Sequence, residues 1–131
     1  MSFNRFEEIE SWKLARQLCA ELYSIYESGK MKNDFSLWNQ INSASGSVMD
    51  NIAEGFERDG NKELVQFLSY AKGSCGEVRS QLYRLLDRKY ISDEQYNELL
   101  NKAEQCSKKI NSLMTYIKGS GFVGKKFKPL N

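Results

Sequence analysis

Apolar residues recur every three or four positions along most of the chain, which is the spacing of an amphipathic α-helix. No stretch shows the two-residue alternation of a half-buried strand. The apolar stripes predict four helices, which run from about residue 6 or 11 to 28, from 35 to 59, from 61 to 89, and from 93 to 118. The predicted fold class is therefore all-α.

Glycine and capping residues mark the ends of these helices. Gly29 and Gly60 each follow an apolar stripe, where glycine commonly ends a helix. Asn61 is the predicted N-cap of the third helix, and Ser92 followed by Gln95 approximates a capping box before the fourth. Because links of a few residues make consecutive helices antiparallel, the chain predicts an up-down-up-down four-helix bundle.

The length of 131 residues suits one domain with its own hydrophobic core. We assign residues 1–118 to the bundle and residues 119–131 to a flexible basic tail. Three glycines make this tail flexible. Its charge comes from Lys125, Lys126 and Lys128.

Missing residue types exclude several chemistries. The chain has no histidine, which removes Ser-His and Cys-His nucleophile pairs and the usual near-neutral general base. It also removes the Glu-x-x-His ligands of a di-iron bundle, so we predict no catalytic residues, no metal and no cofactor. Cys19, Cys75 and Cys106 are widely spaced and odd in number, which favours reduced, buried cysteines.

Two features of the sequence bear on where the protein acts. No apolar run approaches the roughly 18 residues of a membrane-spanning helix. The first ten residues include acidic side chains where a signal peptide has a basic start and an apolar centre. We therefore expect no membrane partner and a cytoplasmic location.

Charge is distributed unevenly along the chain. Residues 35–60 hold one basic and four acidic residues, a net charge of −3, whereas residues 61–131 hold 13 basic and seven acidic residues, a net charge of +6. Glu98 with Lys102 and Glu104 with Lys108 have the spacing of ion pairs within one helix. The remaining basic charge favours a polyanionic partner, and Lys72 and Arg79, seven residues apart on one helix face, are candidate contacts.

Two runs of small residues interrupt the apolar stripes, SASGSVMDNIAEG at 43–55 and YAKGSCGE at 70–77. Glycine inside a helix costs about 1 kcal/mol relative to alanine, so the glycines predict a close approach of the two helices. Polar side chains at such a crossing need hydrogen-bond partners. The first interpretation is structural: these side chains form a clamp that fixes helix register. Its residues are Asn51, Glu54, Gly55, Arg58, Gly73, Ser74 and Glu77. The alternative is recognition at an oligomer interface or RNA surface.

The motif NIAEGFER at 51–58, followed by ELVQFLSYAKGSCGEVRSQL at 63–82, gives the chain a family resemblance. It resembles the four-helix-bundle proteins encoded in intervening sequences of bacterial 23S ribosomal RNA genes, which are related to the accessory protein of diversity-generating retroelements. The resemblance implies an up-down bundle, assembly of protomers into a pentameric ring, and no assigned enzyme activity. For the retroelement relative it implies a basic ring that binds RNA and a reverse transcriptase.

Two functions remain open at this stage. The first is a non-enzymatic, ring-forming protein that binds nucleic acid, with RNA favoured, through Lys72, Arg79 and the tail lysines. The alternative is a protein-interaction scaffold that docks a helical or enzyme partner through exposed aromatic residues such as Tyr23, Tyr70 and Tyr83.

Overall fold

The computed structural model describes residues 3–120. A short 3-10 helix precedes four α-helices: the 3-10 helix is Phe6–Glu8, α1 is Glu10–Glu27, α2 is Phe35–Glu57, α3 is Asn61–Asp87 and α4 is Asp93–Ser120. The prediction of four helices is confirmed, and α4 extends two residues past its predicted end. The lysines predicted to bind nucleic acid from the tail, Lys125, Lys126 and Lys128, lie outside the described residues.

The four helices form a closed bundle in which chain neighbours are also spatial neighbours. α2 packs against α1 and α3, α3 packs against α4, and α1 closes the bundle against α4. One half of the core joins the start of α1 and α3 to the ends of α2 and α4, and the other half joins the opposite ends. This pairing of starts with ends confirms the antiparallel up-down-up-down arrangement.

The core follows the apolar stripes of the sequence. Phe56, Leu68 and Ile110 are at most 1% exposed, and the buried positions of each helix recur at three- and four-residue intervals. Cys75 and Cys106 are buried in this core as small apolar residues, whereas Cys19 is only partly buried, and all three thiols are free. Burial of these stripes provides the main stabilisation of the bundle.

The helix ends confirm some sequence signals and correct one. The Ser92 hydroxyl accepts from the Gln95 amide at 3.1 Å, and the Gln95 side chain accepts from the Ser92 amide at 2.9 Å, which completes the predicted capping box. Gly29 and Gly60 have φ angles of 88° and 109°, which favour glycine. The assignment of Asn61 as N-cap is wrong: Gly60 is the N-cap and Asn61 is the first helical residue.

Asp34 connects the two helix-linking segments at one end of the bundle. Its carboxylate caps α2 by accepting from the Leu37 amide at 3.3 Å. The same carboxylate accepts from the Arg88 guanidinium at 2.6 Å and from the Tyr90 hydroxyl at 2.8 Å, both in the segment between α3 and α4. The hydrogen bonds from Tyr90 and then Arg88 hold the pKa of Asp34 below its usual range.

This lowered pKa makes part of the stability depend on pH. Because Asp34 is more acidic in the folded chain, its contribution is present above the unfolded pKa of 3.8 and is lost as the pH falls through the folded pKa. We expect Asp34→Asn, which keeps a capping side chain, to lower the Tm at neutral pH. The difference from wild type should shrink below about pH 4 in thermal unfolding monitored by circular dichroism; a constant difference would contradict the role of the charge.

Candidate nucleic-acid interface

The family motif contains one glycine that the packing requires. A Cβ atom added to Gly55 would lie 2.7 Å from the Phe67 Cβ and 3.2 Å from the Leu64 Cδ1. Both of these residues belong to the first turns of α3, so the end of α2 approaches α3 more closely here than any side chain would permit. The predicted close approach is confirmed at Gly55.

The other glycines of the two small-residue runs are different. A Cβ atom added to Gly46, Gly73 or Gly76 would meet nothing within 4 Å. The prediction that the two runs face each other across the bundle is therefore wrong for these three positions, because they lie on outer helix surfaces. Their absent side chains leave the backbone of α2 and α3 accessible from outside the protomer.

Arg58 links the motif to the next helix. Its guanidinium lies 3.6 Å from the Glu54 carboxylate on α2 and 3.9 Å from the Glu63 carboxylate on α3. It also lies over the Phe67 ring at 5.0 Å from the ring centre, a cation–π contact. Arg58 thus bridges the α2–α3 turn, although its side chain and both carboxylates are about half exposed.

Apart from Glu54, which pairs with Arg58, the remaining residues of the predicted clamp do not join one network of contacts. The Asn51 side chain donates to the Ser47 carbonyl within α2 at 2.8 Å, and Ser74 is buried in α3. Glu54 and Glu77 are exposed and need no buried partner. A clamp role for the whole set stays a prediction: Gly55 and Arg58 contact α3, and Glu77 lies beside α2 in a groove whose lining includes Ser43 and Ser47.

A groove between α3 and α4 contains both basic residues predicted for the bundle. The groove has a volume of about 470 Å³, and its lining comprises Lys72, Arg79, Glu104, Ser107, Lys108, Asn111 and Ser112. Three cations and one carboxylate give it a net charge of +2, and the hydroxyl and amide side chains add hydrogen-bond donors. Lys72 and Arg79 are therefore on one surface, as their spacing predicts.

Interactions across the groove fix two of its cations. The Lys72 ammonium donates to the Asn111 side-chain oxygen at 3.2 Å, and the Arg79 guanidinium lies 3.8 Å from the Glu104 carboxylate. Both contacts join α3 to α4. The spacing of Glu104 and Lys108 predicts an ion pair within α4, but Glu104 contacts Arg79 of α3 instead. Lys102, which the spacing pairs with Glu98, contacts Glu21 of α1. Within residues 3–120, no carboxylate lies within ion-pair distance of Lys108.

The α4 side of the groove is not predicted by the sequence. Ser107, Lys108 and Asn111 are on the face of α4 that turns towards α3. Their three- and four-residue spacing is visible in the sequence, but spacing alone does not say which helix they face. Phosphate groups of a polyanion are the chemistry that such a set of ammonium, guanidinium, amide and hydroxyl donors matches.

The three thiols are free, and Cys75 and Cys106 are buried. Cys106 donates to the Ser11 carbonyl at 3.3 Å. Its pKa is raised by the hydrogen bond with Cys75 and by burial, which keeps the thiol protonated. Across the described part of the chain, no cluster of acidic and cysteine residues has the geometry of a metal site. No helix within residues 3–120 is long and apolar enough to span a bilayer.

The fold and the groove define the class of this molecule: an antiparallel four-helix bundle with a basic groove between its last two helices. Residues 7–112 match the family described as 23S rRNA-intervening sequence protein. The chain therefore belongs to this family, and the resemblance found in the sequence is confirmed.

A solved structure supports the same fold. A protein of unknown function from the S23 ribosomal protein family of Bacteroides thetaiotaomicron is similar with a TM-score of 0.71 and 20% sequence identity. The similarity covers 79% of this chain and 97% of that chain. A comparison with curated proteins finds no match.

Proposed function

We propose that this protein is a non-enzymatic, cytoplasmic, ring-forming protein that binds RNA through the groove between α3 and α4. The observation that carries the proposal is the convergence of Lys72, Arg79 and Lys108 in one groove. Lys72 and Arg79 are two helical turns apart, about 10 Å along the axis, so one protomer would contact a short run of phosphates.

The electrostatic balance of the groove supports contact with the RNA backbone. The Glu104 carboxylate is the one acidic group among the groove residues, and it orients Arg79 without neutralising Lys72 or Lys108. Since phosphate contacts carry no sequence information, binding should be largely independent of sequence and sensitive to salt.

Assembly into a ring, with five protomers expected, would strengthen this modest site. Several grooves around one ring bind a single polyanion more tightly than one groove, because each contact after the first is intramolecular. The accessible backbone at Gly73 and Gly76 of α3 supports close packing between protomers, since these glycines have no packing role within the protomer.

We expect the double variant Lys72→Glu/Arg79→Glu to bind structured RNA at least tenfold more weakly, because it removes two phosphate contacts per protomer and adds repulsion. Filter binding at low salt measures the affinity. The matched control is Lys30→Glu/Lys32→Glu, which changes the net charge equally in the segment between α1 and α2, far from the groove. An equal loss in both double variants would show that net charge alone is responsible.

The same samples test the ring. Light scattering at micromolar concentration should report several times the chain mass of 15.1 kDa, with and without RNA. A monomer under both conditions would refute assembly, and failure of the wild-type protein to retain RNA at micromolar concentration would refute RNA binding.

Exposed aromatic side chains favour a second candidate function, that of a protein-interaction scaffold. Tyr23, Tyr70 and Tyr83 are each about half exposed, and Phe35, which the sequence analysis missed, is 60% exposed. Aromatic residues of this kind are common anchors in protein interfaces. Recovery of one defined partner protein after nuclease treatment, without RNA retention by the purified protein, would favour this function.

A further inference from the structure

Tyr83 continues the row of α3 side chains that line the basic groove. Lys72, Arg79 and Tyr83 follow one another at intervals of seven and four residues, which place them on one face of the helix. The row from Lys72 to Tyr83 is about 16 Å long at 1.5 Å per residue. This face of α3 therefore carries two cations and then an aromatic ring.

The contacts of this row with α4 show that Tyr83 lies beside the groove. Three residues of α3 each contact one residue of α4: the pairs are Lys72 with Asn111, Arg79 with Glu104, and Tyr83 with Tyr96. The α4 partners come in reverse order, because the two helices are antiparallel. The tyrosine pair is therefore the next contact between the helices after the ion pair of Arg79.

The two tyrosines differ in exposure. Their ring centres are 5.4 Å apart and their planes are inclined by 53°. Tyr96 is buried, whereas Tyr83 is 53% exposed. Hydrogen bonding to the Tyr83 hydroxyl raises the pKa of Tyr96 to about 12, and the nearby Glu104 carboxylate raises and the Arg79 guanidinium lowers the same pKa. Tyr96 thus supports the Tyr83 ring from inside the bundle, at the Arg79 end of the groove.

The surroundings of Tyr83 are apolar on α4 and acidic further along α3. Leu100 lies midway between Tyr96 and Glu104 on one face of α4 and is half-buried. Asp87, four residues after Tyr83 on α3, is exposed. A second phosphate at this end would meet the Asp87 carboxylate, whereas a neutral flat group can cover the Tyr83 ring without meeting a like charge.

We propose, on the basis of the RNA binding proposed above, that the Tyr83 ring stacks on an unpaired base of the strand whose phosphates occupy the groove. Bases of single-stranded nucleic acid stack on exposed aromatic side chains, and every base has a flat face that can do so. Bases inside a duplex are already stacked on one another and do not reach such a ring. The groove would thus select single-stranded segments, such as loops and ends, without reading their sequence.

The test uses a single-stranded oligoadenylate of about six residues, a length within the site sizes of single-strand binders. Fluorescence anisotropy at low salt measures its affinity, together with the affinities of an abasic oligomer with the same number of phosphates and of a stable RNA duplex. The wild-type protein should bind the oligoadenylate about tenfold more tightly than the abasic oligomer, because one base stacks on the ring. Equal affinities for these two oligomers would overturn the proposal.

Substitutions of Tyr83 assign the effect to its ring. Tyr83→Ala should weaken oligoadenylate binding about tenfold and leave the abasic oligomer and the duplex unaffected. Tyr83→Phe should keep the wild-type affinity, because the ring remains. If Tyr83→Ala lowers the Tm, Tyr83→Leu decides the test, since leucine keeps an apolar side chain against Tyr96 but offers no flat ring. Undiminished oligoadenylate binding by a folded Tyr83→Leu variant would overturn the proposal.

The matched control is Tyr23→Ala. Tyr23 is also 53% exposed, but it belongs to α1, which contributes no residue to the groove. This variant should bind all three nucleic acids as the wild type does. An equal loss of oligoadenylate binding in Tyr23→Ala and Tyr83→Ala would show that the position of Tyr83 beside the groove is not responsible.

The salt dependence separates stacking from the phosphate contacts. Tyr83→Ala should leave the slope of log affinity against log salt unchanged, whereas Lys72→Glu/Arg79→Glu should make it shallower, because only the cations release counterions from the strand. If the double variant loses binding and Tyr83→Ala does not, stacking alone is overturned. If the wild-type protein binds neither the oligoadenylate nor structured RNA, the function proposed for the groove fails as well.

Discussion

Replacement of Gly55 by valine is expected to destabilise the bundle by about 3 kcal/mol, the upper part of the range for overpacked positions. The first added atom would already lie 2.7 Å from the Phe67 Cβ and 3.4 Å from the Leu64 carbonyl oxygen. Neither atom is the end of a flexible side chain, so relief requires the whole helix α3 to move away from α2.

The same substitution at Gly46 is the control, because it lies on the same helix in open space. Gly46→Val should change the free energy of unfolding by less than about 0.5 kcal/mol, since valine has a slightly better helix propensity than glycine. Urea denaturation at one protein concentration measures both variants. Equal effects at the two positions would show that the contact with α3 does not explain Gly55.

Truncation of Phe56 to alanine is expected to cost about 3–5 kcal/mol of stability. Phe56 is 1% exposed, has the largest fully buried side chain, and fills the half of the core where α2 ends and α3 begins. Its removal leaves a cavity that the surrounding helices, each held by other core residues, cannot fill by moving.

Phe35 at the start of the same helix provides the matched comparison for this second prediction. It is 60% exposed, so Phe35→Ala should remain within about 0.5 kcal/mol of wild type. Urea denaturation should show a lower midpoint for Phe56→Ala with an unchanged slope, since the surface exposed on unfolding stays similar. Similar midpoints for the two variants would contradict the assigned core.

The fold was predictable because each helix carries a long stripe of apolar residues, glycines follow α1 and α2, and a capping box begins α4. These signals are local, so they do not depend on how the helices are arranged. The wrong assignment of Asn61 shows their limit. Asparagine is a good N-cap, but Gly60 with its φ of 109° allows the chain to turn from α2 directly into α3, which puts Asn61 inside the helix.

The candidate site was predictable only where it lies on one helix. Lys72 and Arg79 share a face of α3 by their spacing, whereas the contribution of Lys108 depends on the rotation of α4 about its axis. The ion pairs show the same limit. Glu104 pairs with Arg79 of the neighbouring helix, because the packing brings that guanidinium to it.

The closure of α1 against α4 bears on the order in which the bundle folds. The contact of Cys106 with Ser11 joins residues 95 positions apart, whereas α1 with α2, α2 with α3, and α3 with α4 are connected by short links. Local hairpins form before contacts that close long loops, because loop-closure entropy grows with chain length. We therefore expect docking of α1 on α4 to be the step that turns a row of three hairpin contacts into a closed bundle, with the polar bonds along that seam forming last.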